Sequence, residues 1–245
     1  MNIYQHIIDS VQQGKKLLAI LLDPDKILLE TQYITSITKK INKKADFIFV
    51  GGSTVNQGVT EKLVKILKKT SQLPIILFPG DYTQISNMAD AILFLSLLSG
   101  DNPEYLIHQQ IKSIPKLKNS SLEVISTGYI LIDGGVETSV QKVSNTKPIP
   151  QKDVELIVNT ALAGAYGGKR LIYLEAGSGA KKVVNLEIIK KVKTALDIPL
   201  IVGGGIRTQE QLKKAYDAGA DLVVIGTAFE QDIHFLNKIN NENIS

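Results

Sequence analysis

Short runs of Ile, Leu, Val, Phe and Ala recur along the chain, separated by stretches in which apolar residues return every three or four positions. The runs are residues 17–23, 46–51, 74–79, 91–96, 123–130, 170–176, 198–203 and 222–226. Each is nearly continuous in apolar side chains, the pattern of parallel strands covered on both faces. Residues 61–70 and 187–196, between runs, show the helical period instead. Such alternation predicts right-handed crossovers and a parallel sheet. Eight repeats in 245 residues predict an α/β fold of one domain, residues 1–245, closed as a (β/α)8 TIM barrel. Thr208-Gln209-Glu210-Gln211 predicts a capping box, and Gly219 a left-handed helix end. The long segment 131–150 after the fifth strand holds Asp133, Gly134, Gly135, Lys142, Lys147, Pro148 and Pro150, and reads as a lid, a binding loop or a surface excursion. Residues 237–245 read as a terminal helix, and Asp25 as the N-cap of a helix over 26–30.

Composition narrows the chemistry. The chain has no cysteine, which removes disulfides, thiolate nucleophiles and cysteine metal sites. No run reaches the ~18 apolar residues of a membrane span, and the first residues lack a secretory pattern, so the expectation is a cytoplasmic protein. The formal net charge of +4 comes mostly from lysine pairs such as Lys39-Lys40 and Lys213-Lys214, which belong on solvated helix faces. No arginine-aromatic interleaving points to nucleic acid. A mild positive field favours anionic substrates.

In such a barrel the chemistry lies at the carboxyl ends of the strands. Gly203-Gly204-Gly205 follows the seventh run and Gly226-Thr227 the eighth. Glycines let backbone amides approach an anion, and the following helix adds its positive end, so these turns predict a phosphate grip. Ser178, within Gly177-Ser178-Gly179, adds a hydroxyl from the sixth strand. Asp23 ends the first strand and Ser53-Thr54 the second, an oxygen set able to hold Mg²⁺ loosely beside a diphosphate. Tyr173 and Glu175 share a face of the sixth strand. Pointing inward, Glu175 would take a proton from a substrate hydroxyl while Tyr173 bonds that substrate. Arg207 reads equally as a phosphate screen or a helix-flank charge. His6, His108 and His234 fall in predicted helices, and Lys169 and Arg170 at the wrong end of the barrel. The stretch 91–98 is core, and its far end could line a hydrophobic groove.

These residues resemble the geranylgeranylglyceryl phosphate synthases. The resemblance rests on Leu21-Leu22-Asp23-Pro24-Asp25-Lys26, Phe49-Val50-Gly51-Gly52-Ser53-Thr54, Phe78-Pro79-Gly80, Ser96-Leu97-Leu98-Ser99, Thr127-Gly128-Tyr129, Tyr173-Leu174-Glu175-Ala176-Gly177-Ser178-Gly179 and Gly203-Gly204-Gly205-Ile206-Arg207. It implies a prenyltransferase that joins the C3 hydroxyl of sn-glycerol 1-phosphate to a polyprenyl diphosphate, with Mg²⁺ required. By motif position, Asp23 and Ser53 would bind the metal. Tyr173, Leu174, Glu175, Ala176, Gly177, Ser178, Gly179, Gly204, Gly205, Gly226 and Thr227 would hold glycerol phosphate. The prenyl tail would lie near the third and fourth strands. A homodimer or hexamer is implied, with transient membrane contact at product release. Shorter relatives that use longer prenyl chains have lysine two positions before the strand-one aspartate; Leu21 stands there, which points to a geranylgeranyl donor.

Two other readings compete. A sugar-phosphate isomerase or aldolase would use the same phosphate loops, but a Schiff-base aldolase needs a strand lysine, and none of the runs carries one at its centre. A non-catalytic metabolite binder would leave Asp23, Ser53 and Glu175 without purpose.

Overall fold

Eight parallel strands close on themselves in chain order: β1 Leu17–Leu22, β2 Phe47–Val50, β3 Ile75–Leu77, β4 Ala91–Leu97, β5 Glu123–Leu131, β6 Leu171–Glu175, β7 Leu200–Gly203 and β8 Leu222–Ile225. β8 pairs with β1 through Leu17↔Leu222 to Ile20↔Ile225 and completes the barrel. The structure is a computed structural model and describes residues 2–239. Helices α1 Ile3–Gln12, α2 Thr31–Ile41, α3 Val59–Thr70, α4 Gln109–Leu117, α5 Ser139–Ser144, α6 Val154–Tyr166, α7 Leu186–Ala195, α8 Gln209–Asp217 and α9 Thr227–Gln231 alternate with the strands.

Strand parity divides the core in two. Leu17, Phe47, Phe49, Leu93, Tyr173 and Val224 point into the barrel. Leu18, Ile48, Leu77, Ile172 and Val202 point out beneath the helices. A fully buried side chain of this kind contributes about 1.5–3 kcal/mol. A slip of one residue would exchange the two faces along a whole strand, so the register is strongly held. α1 closes the floor: Ile3 and Ile7 join the inner core, His6 meets the Phe47 ring edge-on, and Glu123 accepts the first-turn amides of Ile3 and Tyr4. Arg170 caps the Tyr4 ring at 3.6 Å. These groups lie at the amino ends of the strands, away from the site.

Several local expectations are corrected. The segment 131–150 is not irregular. An Ile132↔Ile149 bridge pins its ends together, and within it α5 starts with a full capping box between Thr138 and Gln141. Asp25 caps no helix; α2 begins at Thr31, and Asp25 instead accepts the Asn56 amide at 3.1 Å, tying the turn after β1 to the loop after β2. Thr208 does accept from Gln211 N–H at 3.1 Å, but the Gln211 side chain returns to Arg207 N–H rather than to Thr208. Gly219 is left-handed, at φ 117°, as its position after α8 requires. His234 sits just before a 3₁₀ turn, Phe235–Lys238, and not within a helix. Of the expected terminal helix, residues 240–245 lie outside the described residues.

Candidate active site

The carboxyl ends of the strands surround one continuous cleft of about 350 Å³. Its walls carry Asp23, Ser53 and Thr54 on one side, Tyr173, Glu175 and Ser178 on another, and Gly204, Gly205, Gly226 and Thr227 on a third. From there it runs outward along β4 and α4 past Phe94, Leu95, Leu97, Tyr105 and Gln110. α5 roofs it with Ser139, Val140, Val143 and Ser144. One end is thus built of glycine turns and carboxylates, the other of apolar side chains.

Glu175 closes β6 and is 6% exposed. Its Oε1 accepts the Gly177 amide at 2.6 Å. Burial raises its pKa to about 7; the neighbouring Tyr173 phenol and the Gly177 N–H pull in the opposite direction without cancelling it. The Tyr173 hydroxyl is buried near Glu175 and makes no closed hydrogen bond. It stacks on Phe78 at 5.2 Å and meets Tyr129 edge-on at 5.4 Å. Burial and the Glu175 charge hold both phenols well above the ordinary tyrosine range, so they stay neutral.

Gly204 and Gly205 are both left-handed, at φ 85° and 73°. A Cβ on Gly204 would collide with Glu175 Oε1 and lie 2.6 Å from the Gly177 nitrogen. Only glycine lets the turn after β7 pass this close to the acid. Ser178 Oγ lies 3.1 Å from Thr227 Oγ1, which joins the loop after β6 to the start of α9. α9 has five residues, so what it can offer an anion is the amides of its first turn, not a long helix dipole. Arg207 Nη1 donates to Ala180 O at 2.7 Å and ties the seventh loop to the sixth.

Asp23 meets three neighbours. Oδ2 takes the Lys26 ammonium at 2.9 Å, and Oδ1 the Asp25 amide at 3.2 Å. A Cβ on Gly52 would lie 2.7 Å from Oδ1, so the loop after β2 lies directly against the carboxylate. Lys26 also approaches Glu230 at 3.7 Å. Burial works against its charge, but the bond to Asp23 and the charge of Glu230 outweigh that and hold its pKa above the ordinary lysine range.

A PcrB family model matches residues 11–242. The chain belongs to the PcrB family. Among its relatives, the geranylgeranylglyceryl phosphate synthase of Flavobacterium johnsoniae is 56% identical over 96% of this chain and 97% of its own length. The synthase of the same name from Thermococcus gammatolerans is 45% identical over 89% of this chain and 85% of its own length. The crystal structure of (S)-3-O-geranylgeranylglyceryl phosphate synthase from Thermoplasma acidophilum, in complex with sn-glycerol-1-phosphate, superposes with a TM-score of 0.92 at 34% identity, covering 100% of this chain and 98% of that one.

In this PcrB chain the cleft gathers Asp23, Ser53, Tyr173, Glu175, Ser178, Gly204, Gly205, Gly226 and Thr227, as expected from sequence. Leu174, Ala176, Gly177 and Gly179 do not line it. Leu174 and Ala176 pack outward beneath the helices, because parity sends alternate residues of β6 away from the barrel mouth. Gly177 acts through its amide on Glu175 and lies against Thr138 of the α5 cap, where any Cβ would collide.

The sequence reading gave no role to Phe78, Tyr129 and Lys26, although each stood in a motif it quoted, and it missed Gln84. Tyr129 was legible, since it shares parity with Leu131 and Ile125 on β5. Gln84 carried no local signal. It is 2% exposed and holds Gly52 by both backbone groups: Nε2 donates to Gly52 O at 2.9 Å, and Oε1 accepts Gly52 N–H at 3.4 Å. It thus extends the β2–β3 ladder by one side chain. Gln84→Leu removes both bonds at similar volume and is expected to cost about 2 kcal/mol. A fall in Tm of about 4–8 °C in a thermal melt is the expected reading; an unchanged Tm would show that the clamp contributes nothing.

Proposed function

We propose that this chain joins the C3 hydroxyl of sn-glycerol 1-phosphate to C1 of geranylgeranyl diphosphate and releases diphosphate. The observation that carries the reading is a single cleft holding a buried acid, Glu175, between glycine turns and an apolar groove. The names of the relatives, and the glycerol phosphate complex of the Thermoplasma protein, support it. The phosphate would rest on the amides of Gly204, Gly205 and Thr227 with the Ser178 hydroxyl beside them. Its glycerol would then extend toward Tyr173 and Glu175. As the hydroxyl oxygen bonds C1, the C1–O bond to diphosphate breaks and the electron pair leaves with the diphosphate. The hydroxyl proton passes to Glu175, whose pKa of about 7 suits a general base near neutral pH. The prenyl tail would follow Phe94, Leu95 and Tyr105 outward.

The residues present fit Mg²⁺. Asp23 and Ser53 are hard oxygen donors on adjoining loops, and the ammonium on Asp23 Oδ2 marks a point that favours a cation. Among the described residues no group of three or more carboxylates or histidines forms a protein-only cage, so waters and diphosphate oxygens would complete the sphere. Bound there, Mg²⁺ would neutralise charge growing on the leaving diphosphate. None of the eight strands contains lysine, which disfavours a Schiff-base aldolase. No helix among the described residues is long and apolar enough to cross a membrane. Ile107, Ile111 and Ile114 form an exposed apolar stripe along α4 and the turn before it, which supports a homo-oligomer.

The test combines purified protein, Mg²⁺, labelled sn-glycerol 1-phosphate and prenyl diphosphates of graded length, followed by lipid extraction. Labelled ether lipid with the geranylgeranyl donor is the expected result. No labelled lipid with any donor would end the proposal.

A further inference from the structure

Lys26 occupies one of the two Asp23 oxygens that a metal ion there would use. Its Nζ lies 2.9 Å from Asp23 Oδ2, while the other oxygen, Oδ1, already accepts the Asp25 amide. The base of the side chain is fixed, since the amides of Lys26 and Ile27 both donate to Asp23 O at 3.1 and 3.2 Å. The tip is half-exposed and stands in the cleft between Asp23 and Glu230, the latter on α9 beside Thr227. A divalent cation and an ammonium at the same carboxylate oxygen repel each other, so the two compete for Oδ2. A diphosphate seated beside the Asp23 and Glu230 carboxylates with a single divalent ion would leave an excess of negative charge.

On the prenyl diphosphate reading above, we infer that Lys26 is an exchangeable cation: it yields Asp23 Oδ2 to the metal and becomes a direct ligand of the diphosphate. Its four-carbon stem lets the charge move while the turn stays in place, and an ammonium bonds phosphate oxygens as a mobile point charge. The inference gives Lys26 opposite effects on two binding steps. It competes with the metal when diphosphate is absent and assists when diphosphate is present.

The test uses the full chain with Lys26→Met and Lys26→Arg, and reads binding rather than turnover. Free Mn²⁺ is titrated by electron paramagnetic resonance without diphosphate, and inorganic diphosphate is then titrated by calorimetry at saturating Mn²⁺. Lys26→Met is expected to bind Mn²⁺ alone about 2–5-fold tighter, the loss of a partly exposed competitor. It should bind inorganic diphosphate at least roughly 10-fold weaker, as one charge-assisted bond is removed. Lys26→Arg should restore diphosphate binding, and sn-glycerol 1-phosphate affinity should stay unchanged in both variants. Weaker Mn²⁺ binding in Lys26→Met, or undiminished diphosphate binding, overturns the inference. A wild-type chain that binds no diphosphate with Mn²⁺ defeats the underlying prenyl diphosphate reading as well, so the two failures are distinct.

Discussion

Glu175→Gln should lower turnover by roughly 10²–10⁴-fold, the usual loss when a general base is removed. Gln keeps an oxygen for the Gly177 amide, so the loop after β6 retains its shape and the loss reports proton transfer. In the wild type, kcat/KM should rise with pH and level off above about 7, where burial has placed the Glu175 pKa. The same shift predicts a stability effect of definite sign. An acid whose pKa is raised in the fold holds its proton more tightly there than in the unfolded chain. Its favourable contribution is complete below the ordinary value of 4.5 and is lost as pH rises to about 7. The charged form is therefore disfavoured by about 3 kcal/mol, as an order of magnitude. Glu175→Gln lacks that penalty. Its Tm should match the wild type near pH 4.5 and exceed it by several degrees at pH 8. Thermal melts across this range, with a pH–rate profile, check both halves. Retained turnover with an unchanged pH profile would remove Glu175 from the proton-transfer step.

Gly204→Ala should abolish the phosphate grip. The position is left-handed, which costs an L-residue about 1–2 kcal/mol, and its new methyl group would collide with Glu175 Oε1 beside the Gly177 nitrogen. The turn has to retreat, taking its amides out of line. Losing about two hydrogen bonds to a charged phosphate, at about 1.5–3 kcal/mol each, amounts to a roughly 10²–10⁴-fold weaker Kd for sn-glycerol 1-phosphate. Gly219→Ala is the control: it is also left-handed, at φ 117°, but sits at the end of α8 against the Lys193 side chain. It should lower Tm and leave ligand affinity intact. Calorimetric titration of both variants separates the outcomes. Near-normal affinity in Gly204→Ala would show that the turn after β7 does not bind the phosphate.

The barrel itself was written in the order of residues. Eight apolar runs had strand length, and every interval between them was long enough for a crossover, so chain-order closure followed from local pattern alone. Glu175 and Tyr173 could be placed together for the same reason, because residues two apart on a strand share a face. That glycine turns follow the seventh and eighth strands and face one cleft was legible from the glycines at those strand ends. Parity, ignored within the Tyr173 to Gly179 run, would also have turned Leu174 away.

Tertiary structure alone decided which loops touch. Gln84 lies 32 positions from Gly52, yet it completes that residue's hydrogen bonding. Asp25 found Asn56 across the cleft rim instead of a helix of its own. Lys26 reached both Asp23 and Glu230, the second more than 200 positions away in the chain. Thr138 brought α5 against Gly177. Periodic burial is a property of neighbouring residues and so appears in the sequence. Contacts between strand-end loops depend on the closure of the barrel, which brings distant residues together without leaving a local pattern in either partner.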